Sequence, residues 1–251
     1  MSNGERKVLL EVKNLSVEFN GFQAFTDVSM KIYDGELRVI IGPNGAGKTT
    51  FMDMVTGKTT PTSGKVFFNG QNITGKATAD IARNYRIGRK FQGPNVFDNM
   101  TVKENIEIAV EGYNSMLKCI FFHKSKEFKE KVTKILRQID LYDYRHFMAC
   151  DLSHGQRQWL EIGMVVAQNA KLIILDEPTA GMTADETYKT GEMIKKLKGE
   201  HTLIVVEHDM DFVRQVAEYV TVLNYGTLLA EGTIEEIQNN EEVIAVYLKE
   251  D

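Results

Sequence analysis

Apolar and polar residues alternate through much of the first third of the chain, a pattern typical of β-strands with one buried face. The predicted strands are 10–19, 28–32, 38–41 and 65–69. Within the first of them the alternation breaks near Asn14. A helix is predicted at 49–56, because Gly57 is a residue that commonly ends a helix.

Buried-strand patterns return in the last third, and each is followed by a helical pattern. The runs 172–176 and 202–206 are almost entirely apolar, whereas helices are predicted from about 184 to 197 and from about 210. Strands that alternate with helices predict a parallel sheet covered by other elements on both faces.

The middle of the chain, from about 93 to 169, has a mainly helical pattern, and the capping box Thr101–Glu104 opens one of its helices. The stretch 118–137 carries seven Lys or Arg and two Glu. It fits a solvated helix face, and it also fits a surface near anionic lipid or an acidic partner. We therefore predict a single domain over 1–251, with a core lobe at about 1–92 and 170–251 and a helical lobe at about 93–169.

Composition narrows the class of protein. The 251 residues are 43% hydrophobic and 26% charged, with a net charge of −5, so no basic footprint for nucleic acid is expected. Cys119 and Cys150 are too few for a disulfide framework or a cysteine zinc site. No apolar run has the length of a membrane-spanning helix, and no secretory signal is expected.

A glycine-rich loop follows the predicted strand 38–41 and matches the pattern G-x-x-x-x-G-K-[ST]. It comprises Gly42, Pro43, Asn44, Gly45, Ala46, Gly47, Lys48 and Thr49, with Thr50 next in the helix. Glycines let backbone N–H groups approach phosphate oxygens, Lys48 supplies a point charge, and the Thr49 hydroxyl can bind Mg²⁺. The rival dinucleotide pattern G-x-G-x-x-G is absent here.

Two acids end the buried strand 172–176. At the carboxyl end of a parallel strand they lie beside the crevice in which ligands bind. Asp176 is placed to hold Mg²⁺ or its water shell, and Glu177 is placed to polarise an attacking water. Together with the phosphate loop, these acids predict an enzyme that hydrolyses a nucleoside triphosphate.

Further motifs occur in the order of a known family. The sequence LSHGQ at 152–156 lies just upstream of LIILDEP and resembles the LSGGQ signature of ATP-binding cassette (ABC) ATPases. Gln92 in GRKFQGP resembles the Q-loop glutamine of that family, and His208 in VVEHDM resembles its switch histidine. Phe19 resembles the aromatic residue that stacks on adenine. Ser153 and Gln156 also fit an ordinary capping box.

The resemblance implies a P-loop NTPase core with a mainly parallel sheet, an N-terminal antiparallel β region and an inserted helical subdomain. It also implies ATP and Mg²⁺ at the interface of a head-to-tail dimer with the same or a second ABC ATPase subunit. The implied catalytic residues are Lys48, Gln92, Glu177 and His208. The implied nucleotide contacts are Phe19, residues 42–50 and, from the other subunit, Ser153, Gly155 and Gln156. The implied metal ligands are Thr49, Gln92 and Asp176.

Finer matches indicate a branch of the family. The segments GRKFQGPNVFDNMTVKENI and NNEEVIAVYLKED resemble cassettes of branched-chain amino acid and amide importers. LSHGQRQWLEIGM and EPTAGMTADET are most similar to those of urea importers. The resemblance thus implies urea uptake, with branched-chain amino acids or short amides as the alternative. It also implies a peripheral position on the cytoplasmic face of the membrane, separate permease subunits and, indirectly, a solute-binding protein.

Two departures and two rival functions remain. His154 stands in the signature where the family has glycine, and the loop 179–183 lacks the usual aspartate.

A non-transport cassette acting on ribosomes or DNA would usually carry fused cassettes or coiled-coil insertions, which this sequence lacks. A clamp that binds nucleotide without hydrolysis would often lack the acid found at Glu177.

Overall fold

Two β-sheets form the core of the computed structural model, which describes residues 6–90, 96–112 and 125–247. The antiparallel sheet has the order β2-β1-β4-β5 and comprises β1 (Val8–Phe19), β2 (Phe22–Tyr33), β4 (Ser63–Phe68) and β5 (Gln71–Asn72). The second sheet has the order β10-β9-β3-β8-β7-β6 and comprises β3 (Leu37–Ile41), β6 (Ile87–Lys90), β7 (Leu172–Asp176), β8 (Thr202–Val206), β9 (Tyr219–Asn224) and β10 (Thr227–Gly232). Strands β9, β3, β8, β7 and β6 pair in parallel, and β10 is an antiparallel edge.

The described helices surround the second sheet and fill the middle of the chain. They are α1 (Lys48–Val55), α2 (Thr78–Asp80), α3 (Val102–Glu111), α4 (Lys126–Gln138), α5 (His154–Ala167), α6 (Ala184–Leu197), α7 (Met210–Val216), α8 (Ile234–Gln238) and α9 (Glu241–Tyr247). A π-helical turn, Ile81–Tyr85, follows α2. No helix among these residues combines the length and apolar character that crossing a bilayer requires.

Both faces of the second sheet are buried, which explains why its central strands are apolar at almost every position. On one face, Val39 and Ile41 pack with the helices α3–α6. On the other face, Ile40 packs with the antiparallel sheet and with Phe51 of α1. The phosphate loop therefore leads into a helix held between the two sheets.

The predicted break at Asn14 is a structural irregularity of β1. Asn14 has a left-handed backbone (φ 48°), and the register with β2 shifts between Val12 and Leu15. The shift keeps the side chains of Val12 (1% exposed) and Leu15 (0% exposed) in the core.

The fold confirms the predicted α/β class, and several predicted elements agree closely with it. The strands at 172–176 and 202–206 and the helix at 184–197 have the predicted bounds. In the described part of the basic stretch, α4 buries Val132, Ile135 and Leu136 and leaves its lysines exposed except the partly buried Lys131. This arrangement fits the solvated helix face that the sequence predicted for this stretch.

The sequence patterns missed the shorter elements. The helix predicted from about 210 is only the seven-residue α7, and the hairpin β9–β10 follows it. The segment 70–90 also contains α2, the π-helical turn and the strand β6. Strand β6 was missed because its sequence, IGRK, contains two charged residues that the fold nevertheless buries or nearly buries.

Candidate functional site

The candidate site lies at the carboxyl edge of the parallel sheet. Strands β3 and β7 are both neighbours of β8, so the loops that follow these three strands lie side by side. They carry the phosphate loop, the acids Asp176 and Glu177, and His208. The fold thus places together groups that are far apart in the chain.

The phosphate loop ends in a helix whose N-terminus lacks a side-chain cap. Helices α3, α5, α6 and α8 each begin with a capping box, whereas the N-cap residue of α1 is Gly47, which has no side-chain acceptor. Gly45 and Gly47 have left-handed φ values of 79° and 96°, which favour glycine. The first N–H groups of α1 are therefore available to phosphate oxygens, and the helix dipole adds partial positive charge there.

Lys48 lies at the centre of this arrangement. Its Nζ donates to the backbone oxygens of Gly42 at 2.6 Å and Pro43 at 3.1 Å. Burial lowers the pKa of Lys48, and the nearby carboxylates of Glu177 and Asp176 oppose that shift. The Lys48 ammonium is thus held against the backbone of the phosphate loop, near the carboxylates of Asp176 and Glu177.

Asp176 and Glu177 differ in environment although they are neighbours. The side chain of Asp176 is 4% exposed, and burial raises its pKa against the opposing hydrogen bond from Arg89. Glu177 has a left-handed backbone (φ 44°), its N–H donates to Val206 at 2.9 Å, and its side chain is 30% exposed. The strained turn after β7 aims the second carboxylate into the cleft.

His208 lies near Glu177, and a buried carboxylate joins their two loops. The His208 Nδ1 is 3.8 Å from Glu177 Oε1, beyond hydrogen-bond distance. Glu207, 1% exposed, accepts from the Thr179 N–H, the Thr179 hydroxyl and the His208 N–H. Sequence reasoning missed Glu207, although an acid directly after an apolar strand and directly before His208 was a visible signal.

A cleft of about 610 Å³ opens beside the phosphate loop. Its lining includes Lys48, Thr49, Asp176 and Glu177. It also includes three exposed aromatic residues, Phe19 (46% exposed), Phe22 (71%) and Tyr225 (86%). Of these, only Phe19 was expected from the sequence. Exposed aromatic faces beside a phosphate-binding loop suit a stacked purine base.

Two oxygen-bearing side chains of the cleft could bind a magnesium ion. The Thr49 hydroxyl and the Asp176 carboxylate both line the cleft, and hard oxygen donors are what Mg²⁺ prefers. Across the described residues, no group of three or more His, Cys, Asp or Glu could hold a metal ion. This donor set fits Mg²⁺ bound jointly by protein, water and the phosphates of a nucleotide.

The signature residues lie outside this cleft. Ser153, Gly155 and Gln156 begin α5, where Ser153 and Gln156 form the predicted capping box. The Ser153 hydroxyl also donates to Glu186 Oε1 at 3.1 Å, and a Cβ at position 155 would lie 2.5 Å from that oxygen. A side chain at 155 would therefore push the Glu186 carboxylate away from the Ser153 hydroxyl.

Two other sequence expectations have different outcomes. Gln92 lies outside the described residues. His154, the departure in the signature, contacts the loop after Glu177, with Nε2 3.0 Å from the Ala180 carbonyl oxygen. Within that loop Thr183 caps α6 in place of the family's aspartate.

Known proteins resemble this chain over 96% of its length. It is 35% identical to the high-affinity branched-chain amino acid transport ATP-binding protein LivG of Escherichia coli K12, covering 96% of this chain and 98% of that protein. It is 37% identical to a probable LivG of Archaeoglobus fulgidus, covering 96% and 95%. The crystal structure of the ADP conformation of MJ1267, an ABC transporter cassette, superposes with a TM-score of 0.84 at 32% identity, covering 96% and 98%.

Family models assign two parts of the chain. Residues 25–180 match the ABC transporter family, and residues 227–248 match the branched-chain amino acid ATP-binding cassette transporter family. The first match covers the phosphate loop, the signature and both acids of the cleft. The chain therefore belongs to the ABC transporter ATPases of the branched-chain amino acid branch, whose ATP hydrolysis is coupled to transport.

Proposed function

We propose that this chain is the ATP-hydrolysing subunit of an importer for branched-chain amino acids. The observation that carries the proposal is that the phosphate loop, Asp176 and Glu177 line one cleft. The chain also aligns over 96% of its length with relatives that are named for branched-chain amino acid transport. Urea uptake, expected from LSHGQRQWLEIGM and EPTAGMTADET, has less support, because the relatives reported above are named for branched-chain amino acids.

In the proposed reaction, Glu177 acts as general base. A water oxygen forms a bond to the γ-phosphorus, the bond from that phosphorus to the β–γ bridging oxygen breaks, and the water proton passes to the carboxylate. Lys48 and the N–H groups of α1 hold the phosphates, and Phe19 packs against the base. Thr49, Asp176 and Gln92 would hold Mg²⁺, which neutralises developing phosphate charge. His208 would contact the γ-phosphate.

We further propose a head-to-tail dimer with the same or a second ABC ATPase subunit. Ser153, Gly155 and Gln156 lie away from the chain's own cleft, at the N-terminus of the 14-residue helix α5. That terminus favours anionic groups. Supplied to the cleft of the other subunit, it would close over the γ-phosphate, and loss of phosphate would weaken the contact.

The hydrogen-bonded loop at 96–101 is the proposed docking surface for the permease subunits. The buried amide of Asn105 accepts from the Phe97 N–H at 2.8 Å and donates to its carbonyl at 3.1 Å. Arg157 of α5 donates to Asp98 at 2.6 Å. These bonds fix the loop while leaving Phe97 49% exposed. An exposed aromatic on a fixed loop is typical of an anchor for a partner.

Replacing Phe97 with Asp is expected to lower transport by about tenfold or more, because an unpaired carboxylate would be buried under the permease. Basal ATPase activity of the isolated subunit should stay within about twofold, since Phe97 does not line the nucleotide cleft. Solute uptake and ATPase activity are measured side by side in proteoliposomes. Ile244→Asp, at a 37% exposed position on α9, is the matched control. Unchanged transport in the Phe97 variant would contradict this docking surface.

The solute is tested by reconstituting the subunit with its permeases and binding protein. We expect leucine, isoleucine or valine, each with the binding protein, to raise ATPase activity and to be accumulated, whereas urea does neither. Stimulation by urea alone would overturn the proposed solute and support the urea resemblance. Retention by ribosomes or DNA instead of membrane subunits would overturn the transport role.

The remaining proposals follow from that assembly. The subunit would lie on the cytoplasmic face of the membrane, held by the permeases, and a solute-binding protein would take part indirectly. We propose the lobes expected from the sequence, with the helical lobe at about 93–169 tilting against the core as Gln92 senses the γ-phosphate. No nucleic acid partner is proposed.

A further inference from the structure

Strand β6 carries two consecutive buried cations that face opposite sides of the sheet. The side chains of Arg89 and Lys90 are each 4% exposed. Since neighbouring residues of a strand point to opposite faces, Arg89 lies on the side of α1 and Lys90 on the side of α5. Lys90 Nζ lies 3.5 Å from Glu161 Oε2 of α5, which confirms this alternation.

Arg89 joins the phosphate-loop helix to the metal-binding acid. Its Nη1 donates to Asp53 Oδ1 of α1 at 2.5 Å, and its Nη2 donates to Asp176 Oδ2 at 3.1 Å. All three side chains are buried or nearly so, with exposures of 4%, 13% and 4%. Charge-assisted bonds in such surroundings are strong and directional, and the planar guanidinium can hold both carboxylates in one fixed geometry.

We propose that Arg89 is a positioning residue for the magnesium site: by holding Oδ2 of Asp176 and tying it to α1, it orients Oδ1 toward the ion or its water. The partners of a metal ligand commonly set metal affinity in this way. The inference deepens the nucleotide site proposed above and rests on it. Arg89 lies next to the Q-loop segment, but the resemblance gave a role only to Gln92 there.

The test is Arg89→Lys, which keeps the charge and removes the two-armed geometry. ADP affinity is measured by calorimetry in EDTA and again with Mg²⁺, and Mn²⁺ binding to the ADP complex is followed by electron paramagnetic resonance. We expect metal-free ADP affinity within about twofold of wild type, whereas the gain on adding Mg²⁺ falls about tenfold and half-saturation by Mn²⁺ rises about tenfold.

Lys90→Arg is the matched control, since it also exchanges one buried cation for another on the same strand. Thermal unfolding of both variants measures any loss of stability. We expect Lys90→Arg to keep the wild-type metal dependence even if its unfolding temperature falls as much as that of Arg89→Lys. If Arg89→Lys does not fold, Asp53→Asn removes the other end of the bridge, and it should weaken Mn²⁺ binding by a smaller factor.

Two outcomes would overturn the inference. In one, the substitutions at Arg89 and Asp53 leave the Mg²⁺ gain and Mn²⁺ half-saturation unchanged. In the other, Arg89→Lys weakens metal-free and metal-bound ADP by the same factor, which would show a purely structural role. Failure of the nucleotide site itself looks different, because the wild-type chain would then bind no ADP under either condition.

Discussion

Replacing Glu177 with Gln is expected to lower ATP turnover by about two orders of magnitude or more while nucleotide binding persists. A carboxamide has nearly the same shape as the carboxylate but cannot take the water proton. The strained backbone at Glu177 is held by its bond to Val206, so the variant should keep the local geometry. Turnover is measured as phosphate release, and ATP binding by calorimetry with Mg²⁺.

The same variant should accumulate as an ATP-bound dimer in size-exclusion chromatography, because the triphosphate proposed to join the subunits would no longer be cut. Glu200→Gln is the control, since Glu200 is a surface carboxylate paired with Lys134 and remote from the cleft lining. Its turnover should equal that of wild type. Wild-type turnover in Glu177→Gln would exclude this residue as the base.

Replacing Lys48 with Ala is expected to weaken ATP and ADP binding by about tenfold to a hundredfold. We expect nucleotide binding to move the Lys48 ammonium from the Gly42 and Pro43 carbonyls to phosphate oxygens, and alanine provides no such charge. The glycine backbone should keep its shape, since the loop is also held by the Gly226 N–H bond to Ala46. Fluorescent nucleotide titration measures the affinity.

Lys131→Ala is the matched control for that substitution. Lys131 also donates to a backbone carbonyl, that of Ala167, and burial lowers its pKa as it does for Lys48. It lies on α4 and does not line the cleft. Its removal should leave nucleotide affinity unchanged. Equal losses in both variants would indicate a general effect on folding and contradict the assignment of the phosphate loop.

The sequence predicted the central elements because their local signals agree with their environment in the fold. The strand 172–176 is buried on both faces, so an unbroken apolar run is both its signal and its requirement. The helix 184–197 has a capping box at Thr183, which marks its start independently of packing. In such segments short-range pattern and long-range burial point to the same structure.

Elements whose burial depends on distant partners were not predictable in this way. Strand β6 buries the side chains of Arg89 and Lys90, whose charges normally indicate an exposed position. The burial is possible because Asp53, Glu161 and Asp176 form ion pairs with these two cations. Strand pairing and helix packing bring these acids close. No local window of the sequence contains these pairs.

The candidate site shows the same division. The phosphate loop and the acids after β7 were predicted because each is a contiguous motif. Phe22, by contrast, begins β2, whereas Tyr225 lies in the turn between β9 and β10, and the two residues meet only at the cleft. Glu207 binds Thr179 across a separation of 28 residues, so its role follows from the neighbouring positions of β7 and β8.

The carboxylate of Glu186 has a mechanical consequence for the molecule. One of its oxygens closes the start of α6 through Thr183, and the other receives the Ser153 hydroxyl at the start of α5. Since the segment 177–183 is also fixed at its beginning by the bond from Glu177 to Val206, it is restrained at both ends. A rotation of α5 that moved Ser153 would therefore either break its bond to Glu186 or pull on this short segment, which begins at the carboxylate proposed as the general base.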